Sequence, residues 1–255
     1  MKVGCCGFCT AMERYFREFL VVEVQKTFYK PPKPETAKRW REKADSVNPD
    51  FEFTVKAWQV ITHPPDSPTY RKAGITPKNC GYFKLNETVI EAWEVTREIA
   101  DVLRAKVIVF QTPPSFRDNR ENVERAKQFF STIGRSKYIL VWEPRGWSEE
   151  SVRKVCEETG VIHCVDPFVS DPVTGDVAYF RLHGFGLGCR NGLMGKLNYR
   201  HVYSDEELKW LQSYLEKFLE SDIYEVYVMF NNTNMCKDAE RFMELVSQSS
   251  RSLSL

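Results

Sequence analysis

Hydrophobic and polar positions along the chain follow two periods. Short runs rich in β-branched residues recur eight times, at residues 3–7, 20–25, 52–58, 106–111, 138–143, 161–166, 177–183 and 225–231. Their length, composition and flanking turn residues fit strands. Between them lie amphipathic stretches with apolar positions three and four apart, at 34–44, 87–103, 120–133, 148–159, 204–219 and 237–246, which fit helices. Pro34 sits just inside the first of these, a position where its missing N–H is harmless. Ser148-Glu149-Glu150-Ser151 and Ser204-Asp205-Glu206-Glu207 each open on a capping serine followed by acids, which suit the positive end of a helix dipole.

Strand–helix alternation predicts a parallel sheet covered by helices. Eight strands in 255 residues fit an α/β fold of the (β/α)8 TIM-like barrel type. It is read as a single domain over residues 1–247, with a short polar tail at 248–255. An open doubly wound sheet is the alternative. It would carry a G-x-G-x-x-G turn after the first strand, where this chain reads Gly4-Cys5-Cys6-Gly7.

Alternation within the strands then sorts side chains into two sets. Val22, Val24, Phe53, Val55, Ile108, Phe110, Phe180, Leu182, Val228 and Phe230 are expected to meet the helices. Glu23, Lys56, Gln111, Glu143, Arg181, His183 and Asn231 are expected to point into the barrel, and Asp166 ends the sixth strand. Buried unpaired polar groups are costly, so this ring either pairs internally as a structural network or holds a ligand. The strand C-termini are where barrel enzymes carry their chemistry.

Composition narrows the partners. Thirty-six basic and 35 acidic residues leave a net charge of +1, which argues against a chain-wide polybasic surface. An aromatic content of 13% and a hydrophobic content of 42% exclude a disordered chain. No run approaches 18 apolar residues, so no membrane partner is expected. Met-Lys-Val-Gly-Cys-Cys-Gly at the start does not read as a secretory signal, and a cytoplasmic location is expected. In that compartment the eight cysteines default to buried thiols, metal ligands or catalytic groups rather than disulfides, with hyperthermophile proteins the exception.

The motifs also carry a resemblance. Val-Glu23-Val-Gln-Lys-Thr27-Phe28-Tyr29, Pro-Glu35-Thr-Ala-Lys-Arg-Trp40, Phe-Thr-Val-Lys56 and Ile-Thr62-His63 come first. Phe110-Gln111-Thr-Pro-Pro-Ser-Phe116, Glu143-Pro-Arg145-Gly-Trp147, Tyr179-Phe-Arg181-Leu-His183-Gly184, Tyr203-Ser204 and Val-Tyr-Val-Met-Phe230-Asn231-Asn232 follow in order. Over nearly the whole chain this resembles the YecE-like family, also called domain-of-unknown-function family seventy-two. The resemblance implies a TIM-like barrel with a polar pocket at the strand C-termini, and no particular activity. The chain departs from the family at its first strand, where the family usually reads Gly-Thr-Ser-Gly-Trp.

The expected chemistry is acid–base work on a small anionic or phosphorylated substrate, as in a hydrolase or lyase. Glu143 is read as the base, His183 as the proton shuttle and Lys56 with Arg181 as charge stabilisers, with Glu23 and Asp166 as further carboxylates. Tyr29, His63, Gln111, Arg145, Arg181, Arg190, Asn231 and Asn232 are the expected substrate contacts. Arg190 belongs to a glycine-rich basic loop, Gly184-Phe-Gly186-Leu-Gly188-Cys189-Arg190-Asn191-Gly192, that continues to Lys196 and Arg200. Such loops after strand seven suit phosphate. A nucleic-acid partner using that loop and nearby aromatics is the rival reading. A third reading gathers Cys5, Cys6, Cys9, Cys189 and Cys236 around zinc or an iron–sulfur cluster.

Overall fold

The computed structural model of the chain describes residues 1–133, 137–173, 175–190, 197–221 and 223–252, the side chains of Arg190 and 249–252 excepted. Its strands are β1 (Lys2–Cys5), β2 (Val21–Val24), β3 (Glu52–Lys56), β4 (Val107–Gln111), β5 (Ile139–Glu143), β6 (Ile162–Val165), β7 (Val177–Leu182) and β8 (Glu225–Phe230). All eight are parallel and close into one barrel in sequence order, β8 pairing with β1. The main helices are α1 (Met12–Glu18), α3 (Pro34–Val47), α6 (Glu87–Leu103), α7 (Arg120–Ile133), α8 (Glu149–Thr159), α10 (Asp205–Leu219) and α11 (Met235–Ser252). Short turns of helix occur at α2 (Lys26–Tyr29), α4 (Gln59–Thr62), α5 (Thr69–Ala73) and α9 (Leu187–Arg190).

Both serine caps form. Ser148 accepts from Ser151 N–H, and Ser204 joins Glu207 in a reciprocal capping box that satisfies two otherwise orphaned donors. α11 runs to Ser252, into the 248–255 stretch expected from the sequence to be a polar tail. Among the described residues, the β6–β7 connection carries no helix. Phe168 fills that place instead, its ring 4.8 Å from Trp210 and 5.3 Å from Tyr203. Tyr214 fastens the segment by donating to Asp171 Oδ1 at 2.6 Å.

The barrel separates two apolar clusters. Val22, Val24, Ile108, Phe110, Phe180, Leu182, Val228 and Phe230 pack with the helices. Val21, Val107, Val109, Val141, Cys164, Tyr179, Tyr227 and Met229 fill the interior, the arrangement that period-two alternation predicts. At the strand N-termini the interior is closed by ions: Lys2 and Lys106 lie 2.5 and 3.0 Å from Glu52, and Tyr227 donates to Glu225 at 2.7 Å. The charged ring at the other end therefore rests on a packed apolar plug. No helix among the described residues is long and apolar enough to cross a membrane.

Cys9, in the loop after β1, is disulfide-bonded to Cys236 at the start of α11, with 5.7 Å between Cα atoms. This corrects the expectation of unpaired thiols. The bond fastens the seam where β8 meets β1 and closes a loop of 227 residues. The Cys9→Ser, Cys236→Ser double variant is expected to lose about 2–4 kcal/mol of stability. For a chain of this length that lowers the thermal midpoint by roughly 4–8 °C. Calorimetry with and without reductant checks it: an unchanged midpoint on reduction would remove the bond from the stability account.

Candidate active site

Arg181, on the inner face of β7, organises the C-terminal end of the barrel. Its side chain has no solvent exposure; Nη2 lies 2.9 Å from Glu23 Oε1 and Nη1 contacts Glu143 Oε2. Nη1 is also 3.4 Å from Gln111 Oε1. Glu23 is equally sealed, and its Oε2 accepts the Tyr179 hydroxyl at 2.9 Å, which in turn meets the Thr54 hydroxyl at 2.9 Å. Gln25 donates to Glu23 from above.

Glu143 ends β5 and faces the mouth. Arg145, two residues on, reaches back with Nη2 2.6 Å from Glu143 Oε1 and keeps 23% of its side chain exposed. Burial alone would raise the Glu143 carboxyl, but Arg145 and Arg181 together outweigh it and hold the group well below the usual carboxylate range. Glu143 is therefore ionised at neutral pH.

His183 follows β7. Its backbone N–H donates to Asp166 Oδ2 at 2.7 Å, and Nδ1 lies 3.6 Å from the same oxygen. The other Asp166 oxygen accepts Phe168 N–H at 3.0 Å, so Asp166 shapes the turn that presents the imidazole. His183 Nε2 lies 3.3 Å from Arg145 Nη2 and 3.5 Å from Glu143 Oε1. A guanidinium can only donate. When Arg145 donates to Nε2, the histidine proton sits on Nδ1, facing Asp166.

Lys56 closes the ring from β3. Nζ donates to Gln111 Oε1 at 2.7 Å and lies 4.1 Å from the Phe28 ring centroid. His63 packs on the same phenyl ring at 5.0 Å, with Nδ1 2.8 Å from Thr62 Oγ1. Burial, assisted by Lys56 and Arg145, lowers His63 to about 3, so it stays neutral.

Glu143, Arg145, His163, Asp166, His183 and Phe185 line a cavity of about 190 Å³ between the ends of β5, β6 and β7. A larger cavity, about 780 Å³, opens at the opposite end beside Tyr138, Thr159, Val177 and Tyr224. It lacks the joined carboxylate, guanidinium and imidazole that line the smaller one.

Several expectations change. Glu23, expected to be catalytic, and Arg181, expected to bind substrate, are fully buried and support the site from beneath. Asn232 is 3% exposed, with its amide donated to His201 O and Asp238 Oδ2, so it braces a loop. Asn231 is half-buried and Tyr29 is half-buried with its carbonyl accepting Gln59 Nε2. The Arg190 side chain and residues 191–196 lie outside the described residues. The cysteine metal set comes apart: Cys9 and Cys236 are bonded to each other, Cys5 packs toward the helices and Cys6 into the barrel. Burial pushes Cys5 up to about 12, and Cys189 is half-buried and free. Among the described residues no group of three or more His, Cys, Asp or Glu side chains has the geometry to hold a metal ion. Tyr179, Thr54 and Gln25 were missed, although the alternation that marks Arg181 also marks Tyr179 two positions earlier.

Known structures resemble the whole chain. A DUF72 family protein from Thermotoga maritima is 24% identical, with 96% of this chain and 98% of that one covered and a TM-score of 0.67. A DUF72 family protein from Enterococcus faecalis is 18% identical over 96% and 97%, with a TM-score of 0.68. A xylose isomerase domain containing protein from Salmonella typhimurium is 16% identical over 100% and 97%, at 0.57. At these identities the likeness is one of fold. No curated protein matches the chain. The model of the family described as protein of unknown function DUF72 matches residues 9–254, and with the closed barrel and its motifs in place, the chain belongs to that family.

Proposed function

We propose that this protein is an enzyme that moves a proton on a small anionic compound bound between β5, β6 and β7. The observation that carries the reading is Arg145, a partly exposed cation that touches both the ionised Glu143 and His183 Nε2. A carboxylate or phosphate entering the cavity takes the outward N–H groups of Arg145. Drawn to that anion, Arg145 releases Nε2, which accepts a proton from the substrate. The resulting imidazolium lies between two carboxylates, Glu143 and Asp166, and this lowers the barrier to forming it. The cavity, at about 190 Å³, is below the roughly 300–1,000 Å³ of drug-sized ligand sites, which favours a compact substrate. Against the nucleic-acid rival stands the burial of Phe28, Phe116 and Tyr203 in packing, which leaves Tyr29 and Trp147, both half-buried, as the aromatics available for stacking.

Thermal-shift titration with inorganic phosphate, small carboxylates and a single-stranded oligonucleotide tests the reading. A small anion is expected to stabilise the protein, and Arg145→Ala to weaken it roughly tenfold or more, as loss of a charge-assisted hydrogen bond implies. His183→Asn should keep the binding and abolish deuterium uptake at carbon by the bound compound, followed by NMR in heavy water. Equal binding by Arg145→Ala, or stabilisation by the oligonucleotide alone, overturns the proposal.

A further inference from the structure

Lys56 is not placed as a structural lysine would be. It is 7% exposed, yet among the described residues no carboxylate lies within ion-pair distance of its ammonium group. The two nearest buried carboxylates are already committed, Glu23 to Arg181 and Glu143 to Arg181 and Arg145. Lys56 is left with a neutral amide oxygen and an aromatic face. The same Gln111 oxygen receives Arg181 Nη1 at 3.4 Å, so two cations converge on one acceptor. A guanidinium does not give up its proton. Of the two cations, the lysine is the one able to lose a proton.

We infer that Lys56 is a nucleophilic amine that forms an imine with the carbonyl group of a small anionic aldehyde or ketone held by Arg145. This rests on the anion-binding reading above and names its substrate class. The Nζ lone pair attacks the carbonyl carbon, and the C=O pair moves to oxygen, which takes a proton to give a carbinolamine. The hydroxyl takes a proton from a neighbouring acid and leaves as water, and the nitrogen lone pair forms the C=N bond of an imine that keeps its N–H proton. Water is the only by-product and no oxidant enters. The protonated imine withdraws electrons from the adjacent carbon, so its C–H becomes acidic enough for His183. Gln111 ties Lys56 to Arg181, whose Nη1 lies 3.5 Å from His183 Nε2, so a short chain of polar contacts joins the amine to the imidazole.

The groups facing Lys56 agree with this use. Arg181 on β7 opposes its charge, Glu23 on β2 and Glu143 on β5 favour it, and Cys6 after β1 and neutral His63 complete the surroundings. Burial is the largest influence and Arg181 the next, and they bring the amine to about 8. An appreciable fraction is then uncharged near neutral pH.

The test is reductive trapping. Protein is incubated with glyoxylate, pyruvate or uncharged acetaldehyde plus cyanoborohydride, and the adduct is located by peptide mass spectrometry. One adduct per chain, on Lys56, is expected, with the oxo acids trapped at least tenfold faster than acetaldehyde. The rate should rise with pH about a midpoint near 8 and not near the ordinary lysine value. Lys56→Arg should leave no adduct at this position; should that variant not fold, trace acetylation of the unaltered protein ranks Lys56 against surface Lys30 and Lys38. Adducts spread over surface lysines, or a Lys56 no more reactive than they are, overturn the inference. If phosphate binds through Arg145 while no carbonyl compound is trapped, the lysine inference alone falls. If acetaldehyde is trapped on Lys56 and no anion binds, the amine stands and the anion reading falls.

Discussion

Arg181→Met is expected to destabilise the protein by about 3–5 kcal/mol, because it strands two buried carboxylates, Glu23 and Glu143, without their shared cation. In a chain of this length that corresponds to roughly 6–10 °C in thermal midpoint. A Glu23→Gln, Arg181→Met double variant should recover part of the loss, since the charge left most isolated is gone. The pH dependence has a definite sign. Glu143 is held well below its ordinary range in the folded state, so on acidification the unfolded chain takes up this proton first. The stabilisation is present above the ordinary carboxylate range and is lost as pH falls through the folded value. Without Arg181 that folded value moves up, and acid unfolding should begin at higher pH. Urea titrations at neutral pH, with an acid titration followed by circular dichroism, measure both effects. A variant within about 1 kcal/mol of the parent, with the same acid midpoint, would show that the ion layer is not coupled.

How much of this was legible before folding depends on what each feature needs. The strands could be read because β-branched runs between turns need only local information. The inner face could be read because alternation is a property of the strand itself. What alternation does not carry is height along the barrel axis. Glu23 and Glu143 share an inward orientation, yet Glu23 is sealed against Arg181 and Tyr179 while Glu143 lines the cavity. That is why alternation turns both inward without telling which of the two reaches the cavity.

Other features were legible in part or not at all. The ion cluster of Lys2, Glu52, Lys106 and Glu225 obeys the same rules at the strand starts, the end opposite the candidate site. The helix-free passage after β6 was marked by Pro167 and Pro172, which disfavour helix interiors. The Cys9–Cys236 bond joins residues 227 apart, a proximity that barrel closure creates and spacing alone does not reveal. The sequence places those two cysteines in one group as candidate metal ligands, and the structure joins them to each other instead.

Gly184→Ala is the second change expected to have a large effect, and Gly146→Ala supplies its comparison. Both glycines follow site residues and both have positive φ, +87° and +75°. A side chain at either adds about 1–2 kcal/mol of left-handed strain. Their surroundings differ. A Cβ at Gly146 meets nothing within 4 Å, whereas at Gly184 it overlaps the backbone carbonyl of Asn198 and comes within 3.1 Å of His201 Cβ. Relieving that overlap requires backbone movement worth roughly another 1–3 kcal/mol. The movement begins one residue from His183, whose N–H is held by Asp166, and it strains the 2.9 Å bond from Gly184 N–H to Tyr203. Gly184→Ala should therefore lose about 2–5 kcal/mol in urea unfolding, and carbon deuterium exchange should fall roughly tenfold or more as the imidazole tilts. Gly146→Ala should lose only the strain and keep its exchange rate within a few-fold. Equal losses in the two variants would mean that the loop carrying Asn198 yields freely and does not fix the position of His183.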